Sequence, residues 1–258
     1  MTSVDLAQLT AIIPTRGNPK PLNRLKRSLK RAYPKLQVLA ADEGNGSSAQ
    51  GGGSSIRLPA GVGRGAACNA MLARLRTPYF LLLDEQCEIG KETPLEQLLQ
   101  LVAADKLDVA AGDFVGCQKK FWFFVRQQPQ PGHGILELAG NQLTLQPSYR
   151  SAGEGFFWCD MVHNFFVART EKVRSMGGWD PELKNDEREE FFVRAHRQGL
   201  RVGIVPEVTA RYWNEKPAAQ SAEPGPSLKS LAVAKMGLAR MTGLDGRVVK
   251  APRRARAA

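Results

Sequence analysis

Apolar strand-like segments at residues 9–15, 36–42, 79–83 and 108–115 alternate with helix-like segments at 19–32, 65–75 and 95–104. A short strand is also expected at 56–59. No other feature constrains the fold as much, because strand–helix alternation implies a mostly parallel sheet with right-handed crossovers and helices on both faces. Such sheets bind ligands at the carboxyl ends of their strands. Here those ends are Pro14-Thr15-Arg16, Asp42-Glu43 and Asp84-Glu85-Gln86, three polar clusters that converge on a nucleotide-type pocket.

The helix at 19–32 sets Leu22, Leu25 and Leu29 on one face, with Arg24, Lys26, Arg27, Lys30 and Arg31 expected outward. Gly61, Gly63 and Gly65 mark the start of the next helix. Residues 44–55 carry no apolar side chain larger than Ala49 and read as a surface loop or insertion. The second half changes character. Antiparallel strands are expected at 121–126, 135–139 and 142–146, with Gly140-Asn141 as a hairpin turn. An apolar stretch at 156–170 follows, then a short helix to Met176, a helix at 187–198 and a strand at 202–205. Beyond Trp213 come a Pro/Ala/Ser/Glu linker to residue 226, a helix at 228–241 and a basic tail. The expected organisation is one domain over 1–213, with a nucleotide-binding half (1–116) and an acceptor half (117–213), followed by that linker, helix and tail (214–258).

The formal charge of +11 raises the question of nucleic-acid binding, and its location answers it. Eight Lys and Arg lie between residues 16 and 35 and five more between 247 and 258, neither stretch holding an acid, so the remainder is slightly acidic. The charge belongs to one helix face and a tail. A solvated face is the simpler reading, an anionic membrane surface the alternative, and no nucleic-acid partner is expected, since no base-reading motif is present. The four cysteines are widely spaced without a C-x-x-C pair, which argues against a zinc ribbon or disulfide scaffold. No apolar run approaches the roughly 20 residues that span a bilayer, and no signal-peptide pattern opens the chain. The expected location is cytoplasmic, or the Golgi lumen should an upstream anchor belong to the protein.

The segment 159–192 is the most specific: Asn164-Phe165-Phe166-Val167-Ala168-Arg169-Thr170-Glu171-Lys172-Val173-Arg174, then Gly177-Gly178-Trp179-Asp180-Pro181-Glu182-Leu183, then Glu190-Phe191-Phe192. With Ile12-Ile13-Pro14-Thr15-Arg16, Leu39-Ala40-Ala41-Asp42-Glu43, Asn69 and Leu83-Asp84 in order before it, the chain resembles a GT-A glycosyltransferase of the family 2 kind. Within that group it is most similar to the β-1,4-N-acetylgalactosaminyltransferases of ganglioside type. The resemblance covers residues 10–212. It implies a Rossmann-like GT-A fold with a small antiparallel acceptor-side sheet. It also implies a UDP-sugar donor, Mn²⁺ or Mg²⁺, and inverting transfer to a glycan, lipid-linked sugar or other hydroxyl acceptor.

It further implies roles. Pro14, Thr15, Arg16, Asp42, Asn69, Asp84 and Glu85 would bind the nucleotide sugar, and Asp84 with Gln86 would hold the metal. Asp160, Gly177, Gly178, Trp179 and Asp180 would line the acceptor side. Glu187, or Glu190 one turn along on the same helix face, would be the base. Chemistry requires such groups, because a departing diphosphate needs nearby positive charge and an attacking hydroxyl needs a carboxylate in reach.

Several positions depart from the family's pattern. The metal-binding Asp-x-Asp reads Asp84-Glu85-Gln86, and a neutral Gln is a weak ligand for a hard cation. The late metal-ligand histidine falls at Tyr212, and Arg188 stands where an Asp follows the catalytic Glu. The arginine that precedes Asn69 in the family is Cys68 here; Arg64 lies one turn earlier and is expected to reach the same phosphate. These departures leave a rival reading open, a catalytically silent GT-A module that binds nucleotide or glycan. His163 and His196 are expected to be structural and His133, between glycines, exposed. Phe121, Trp122, Phe123 and Phe124 would pack in a core or stack on a sugar ring. Asp160 would orient an acceptor or bond loop backbone.

Overall fold

The computed structural model describes residues 4–43, 54–120, 124–129, 132–213 and 227–252. After a 3-10 turn at Leu6–Gln8 the elements are β1 (Leu9–Thr15), α1 (Pro19–Ala32), β2 (Gln37–Asp42), β3 (Ser54–Arg57), α2 (Gly63–Leu72), β4 (Tyr79–Leu83), β5 (Cys87–Glu88) and α3 (Leu95–Ala103). Then follow β6 (Val109–Lys120), β7 (Phe124–Pro129), β8 (Ile135–Ala139), β9 (Gln142–Gln146), β10 (Phe157–Cys159), β11 (Phe165–Arg169) and α4 (Thr170–Ser175). A 3-10 turn at Pro181–Leu183 precedes α5 (Arg188–Arg197), β12 (Val202–Trp213), α6 (Leu228–Lys235), β13 (Arg240–Thr242) and β14 (Val248–Lys250).

The large sheet runs in the order β10-β12-β6-β11-β4-β1-β2-β3. Along this path the strands are parallel except at β10 and β11, which run against their neighbours; off it, β5 and β7 pair antiparallel with β12 and β6. Leu39, Ile12, Leu82, Phe166 and Ala111 form one row across it and pack with α2 and α5. The preceding row, Val38, Ala11, Leu81, Val167 and Ala110, packs with Leu22, Leu25 and Leu29 of α1 and with Leu95, Leu98 and Leu99 of α3. Side chains alternate between faces with period two, so the sheet has an apolar layer on each side. Asn18 caps α1 by accepting a hydrogen bond from the Lys20 amide at 3.1 Å.

Several features differ from expectation. β6 and β12 run past residues 115 and 205 because they pair with each other in parallel beyond a register break between Ile204 and Thr209. Residues 124–129 join β6 in the large sheet, while 121–123 lie outside the described residues. The helix at 228 stops at Lys235, and the chain turns through Gly237 into β13, which lies parallel to β9, with β14 beside it. The small sheet is therefore β14-β13-β9-β8, and Met236, Leu238 and Met241 are buried in the common core. Finally, Arg24 is not a solvated charge: its guanidinium lies 5.2 Å from the Trp213 ring centre. Lys26 is half-buried, and burial draws its amine pKa down against the pull of Asp42.

Contrary to the expected exposure, His133 is buried, stacked on Tyr149 with ring centres 4.4 Å apart. All four cysteines are buried and unpaired. Among the described residues no helix is long and apolar enough to cross a membrane.

Candidate active site

The polar clusters close their strands along one edge, with Thr15 paired in register to Asp42. Glu85 ties β1 to the turn after β4: its Oε2 accepts from the Thr15 hydroxyl at 2.5 Å and the Arg16 amide at 3.4 Å. Burial pushes the Glu85 carboxyl up, the Thr15 bond opposing and the adjacent Asp84 adding to the shift. Residues 84–86 form a turn, with Asp84 Oδ1 accepting the Gln86 amide at 3.0 Å. The Asp84 amide donates to the Asn164 carbonyl at 3.1 Å, which fixes the end of β4 against the start of β11.

Opposite this edge stands the beginning of α2. Gly63 has φ +85°, and a side chain there would collide with the Lys184 backbone, so only glycine allows this approach. The Gly63 amide donates to Glu43 Oε2 at 2.6 Å, the Arg64 amide to Asn185 Oδ1 at 3.2 Å, and the Gly65 amide to the Lys184 carbonyl at 2.9 Å. This seam brings Arg64 beside the residue that leads into α5: Arg64 Nη1 lies 3.6 Å from Glu187 Oε1. The Arg64 side chain is 20% exposed and that of Glu187 only 1%.

The electrostatics follow from this packing. Burial works against the Arg64 charge, yet Glu187 and Asp84 together hold its proton more firmly than usual. Burial raises the Glu187 carboxyl pKa, with Arg64 opposing, and Oε2 has no hydrogen-bond partner among the described residues. Burial also raises the Tyr212 phenol, helped by Asp84, so it stands as a neutral hydroxyl. Cys68, one turn along α2, is fully buried, and its thiol is pushed up by burial and by Glu187.

Other expected site residues are committed elsewhere. Asn69 donates to the Trp179 carbonyl at 2.7 Å and accepts its amide at 2.9 Å. Trp179 is buried, its ring stacked on Phe191 at 4.9 Å. Asp180 caps the turn at Pro181–Leu183 and pairs with Lys235 at 2.7 Å. Gly177 and Gly178 form the turn before Trp179, and Arg194 donates to the Gly178 carbonyl at 2.8 Å. Glu190 gives both oxygens to Arg194, at 2.5 and 2.9 Å, although it lies one turn from Glu187. Asp160 receives two bonds from Arg150 at its Oδ2, 2.7 and 3.1 Å long, and the Leu136 amide at 2.9 Å. It also faces His196 Nδ1 at 3.3 Å.

Sequence reading placed Glu43 in a strand-end cluster without its part in the α2 seam, and it overlooked Asn185 in that seam and Asp113 on β6. Asp113 pairs in register with Thr209 of β12, with burial raising its carboxyl and His133 opposing. Only the tertiary fold marks these residues, since nothing in their local sequence does.

A divalent cation held by this fold class needs hard oxygen donors, carboxylates above all. At the corresponding places stand Asp84, already accepting an amide, with the neutral Gln86 and the neutral Tyr212. Among the described residues no three His, Cys, Asp or Glu are grouped to hold a metal. These donors do not fit such a cation, and Arg64 brings a fixed positive charge among them.

The sheet order, the antiparallel β11 between β4 and β6 and the strand-end cleft define a GT-A glycosyltransferase fold. The Glycosyl transferase family 2 profile matches residues 10–166, and the chain belongs to that family. It is 30% identical over 196 residues to beta-1,4 N-acetylgalactosaminyltransferase 1 of Homo sapiens, covering 72% of this chain and 35% of that protein. It is 27% identical over 208 residues to beta-1,4 N-acetylgalactosaminyltransferase 2 of Mus musculus, covering 77% and 38%. The chain thus spans little more than a third of these relatives. Among solved structures, GalNAc-T7 with UDP, GalNAc and Mn²⁺ superposes with a TM-score of 0.67 at 14% identity, over 88% of this chain and 48% of that one. S. aureus TarS 1-349 in complex with UDP-GlcNAc gives 0.61 at 17% identity, over 88% and 66%.

Proposed function

We propose that this chain transfers an N-acetylhexosamine from a UDP-sugar to a hydroxyl of a glycan or lipid-linked acceptor, inverting the anomeric centre. The observation that carries this reading is the convergence of Arg64, Asp84 and the half-satisfied Glu187 across the strand-end cleft of a family 2 glycosyltransferase. Relatives named for N-acetylgalactosamine transfer and fold neighbours solved with UDP, UDP-GlcNAc or GalNAc support the donor class.

In this reading Pro14, Thr15, Arg16 and Asp42 hold the uridine, and Asp84 meets the ribose. The acceptor oxygen attacks the anomeric carbon as the bond from that carbon to the diphosphate oxygen breaks. The acceptor proton passes to Glu187, and UDP leaves with the bonding electron pair. A carboxyl raised by burial is a better base near neutral pH than an exposed one, which suits Glu187 to the step. Glu190 is the weaker choice, because Arg194 occupies both its oxygens.

The test is release of UDP from UDP-GalNAc and UDP-GlcNAc in the presence of an acceptor panel, with Glu187→Gln expected to abolish it. A second reading, a silent nucleotide-binding module, draws support from Gln86, Tyr212 and Arg188, the last pairing with Glu189 at 3.2 Å. UDP binding without turnover across the panel would favour that module.

A further inference from the structure

We propose that Arg64 takes the place of a divalent cation on the donor diphosphate, and that it does so by leaving Glu187, so that donor binding releases the base. This rests on the transferase reading above and adds to it both the source of positive charge and an order of events.

Three observations carry it. First, Arg64 is held differently from Arg194 and Arg201. Arg194 is fixed by Glu190 and by the Met176 and Gly178 carbonyls, and Arg201 by Asp105 and Asp108. The Arg64 guanidinium has one contact at 3.6 Å, beyond hydrogen-bond length, and donates no hydrogen bond among the described residues. A guanidinium carries five donors in a planar fork matched to phosphate oxygens. Here that fork is held beside the strand ends, one-fifth of its side chain open to the cleft.

Second, the start of α2 does not itself offer amides to an anion. Its first three N–H groups are taken by Glu43, Asn185 and the Lys184 carbonyl. An incoming diphosphate on this side must therefore be met by a side chain. Third, Asp84, Gln86 and Tyr212 do not make a ligand set for a hard cation, as shown above.

Glu187 supplies the second half of the argument. Its Oε1 faces Arg64 while Oε2 is buried without a hydrogen-bond partner among the described residues. A diphosphate offers the guanidinium more charge and several acceptors. Once the fork turns to it, Glu187 is left to the acceptor hydroxyl. Donor therefore binds first and acceptor second.

The experiment is calorimetric titration of the full chain with UDP and with uridine, each in EDTA and in excess MnCl₂. The proteins compared are the native chain, Arg64→Met, Arg64→Lys and Glu187→Gln, each checked for an unchanged thermal transition. UDP is expected to bind equally with and without Mn²⁺. Arg64→Met should weaken UDP by about tenfold or more, the loss of charge-assisted hydrogen bonds to phosphate, while leaving uridine unchanged. Arg64→Lys should fall between, since an ammonium keeps the charge without the fork; should Arg64→Met unfold, this variant carries the comparison. Glu187→Gln should tighten UDP severalfold by removing the competing carboxylate. UDP binding that requires Mn²⁺, or that is indifferent to both Arg64 variants, overturns the inference and leaves the transferase reading standing. Absence of UDP binding in both buffers overturns the two together.

Discussion

The Asn69 amide group brackets the Trp179 peptide, accepting its N–H at 2.9 Å and donating to its carbonyl at 2.7 Å. The bracket locks α2 to the turn at Gly177 and Gly178, where Gly178 has φ +67° and a side chain would collide with Asn69. Asn69→Ala removes both bonds and strands a peptide beside the buried Trp179. At roughly 1 kcal/mol per bond, it should lower unfolding free energy by about 2 kcal/mol in urea titrations. UDP affinity should be unchanged. A loss of UDP binding at full stability would return Asn69 to the nucleotide site.

Glu187 and Glu190 should separate cleanly by substitution. Glu190→Gln breaks a two-point pair with Arg194 that also clamps the Met176 and Gly178 carbonyls, and should cost about 3 kcal/mol of stability. Glu187→Gln removes a carboxylate with an unsatisfied buried oxygen, and should leave the thermal midpoint unchanged or higher while turnover falls by at least a hundredfold. Paired thermal melts and UDP-release assays read both.

The pH dependence has a defined sign. Burial raises the Glu187 carboxyl above its ordinary 4.5, so the folded chain favours the protonated form more than the unfolded chain does. That contribution to stability is fully present below 4.5 and is lost as pH rises through the raised folded value. Activity runs the other way, since only the deprotonated group accepts the acceptor's proton. The acidic limb of kcat/KM against pH should therefore lie above the ordinary carboxylate range. An acidic limb centred at or below 4.5 would contradict this assignment.

Met241 tests the standing of the C-terminal segment. It is buried in β13, packed into the core shared by β9 and α5. Met241→Ala should cost about 2–4 kcal/mol, the range for emptying a buried apolar site. A surface appendage would lose almost nothing in the same urea titration.

Much of the frame was legible in the sequence because it depends on local pattern. The limits of β1, α1, β4, β8 and β9 match the alternation of apolar residues and the turn signals around them. Long-range pairing hid the rest: nothing within residues 116–120 or 206–213 announces that β6 and β12 continue as partners. The C-terminal strands were hidden in the same way, since β13 is a strand only because β9 lies beside it. At the site, sequence named candidate carboxylates but carried no sign of their commitments. Whether Glu190 or Asp160 is free depends on Arg194, Arg150 and the Leu136 amide, which only the fold brings near. His133 and Lys26 were misjudged for the same reason, because burial by distant elements leaves no mark on neighbouring residues.

The junction between α2 and residues 184–185 has one more implication. Its α2 contacts are main-chain amides, met by the Lys184 carbonyl and the Asn185 side chain, with glycine at the tightest point, so the approach of α2 to this segment is set largely by the polypeptide path. Side-chain changes around the cleft that spare Gly63 would leave that main-chain gauge intact.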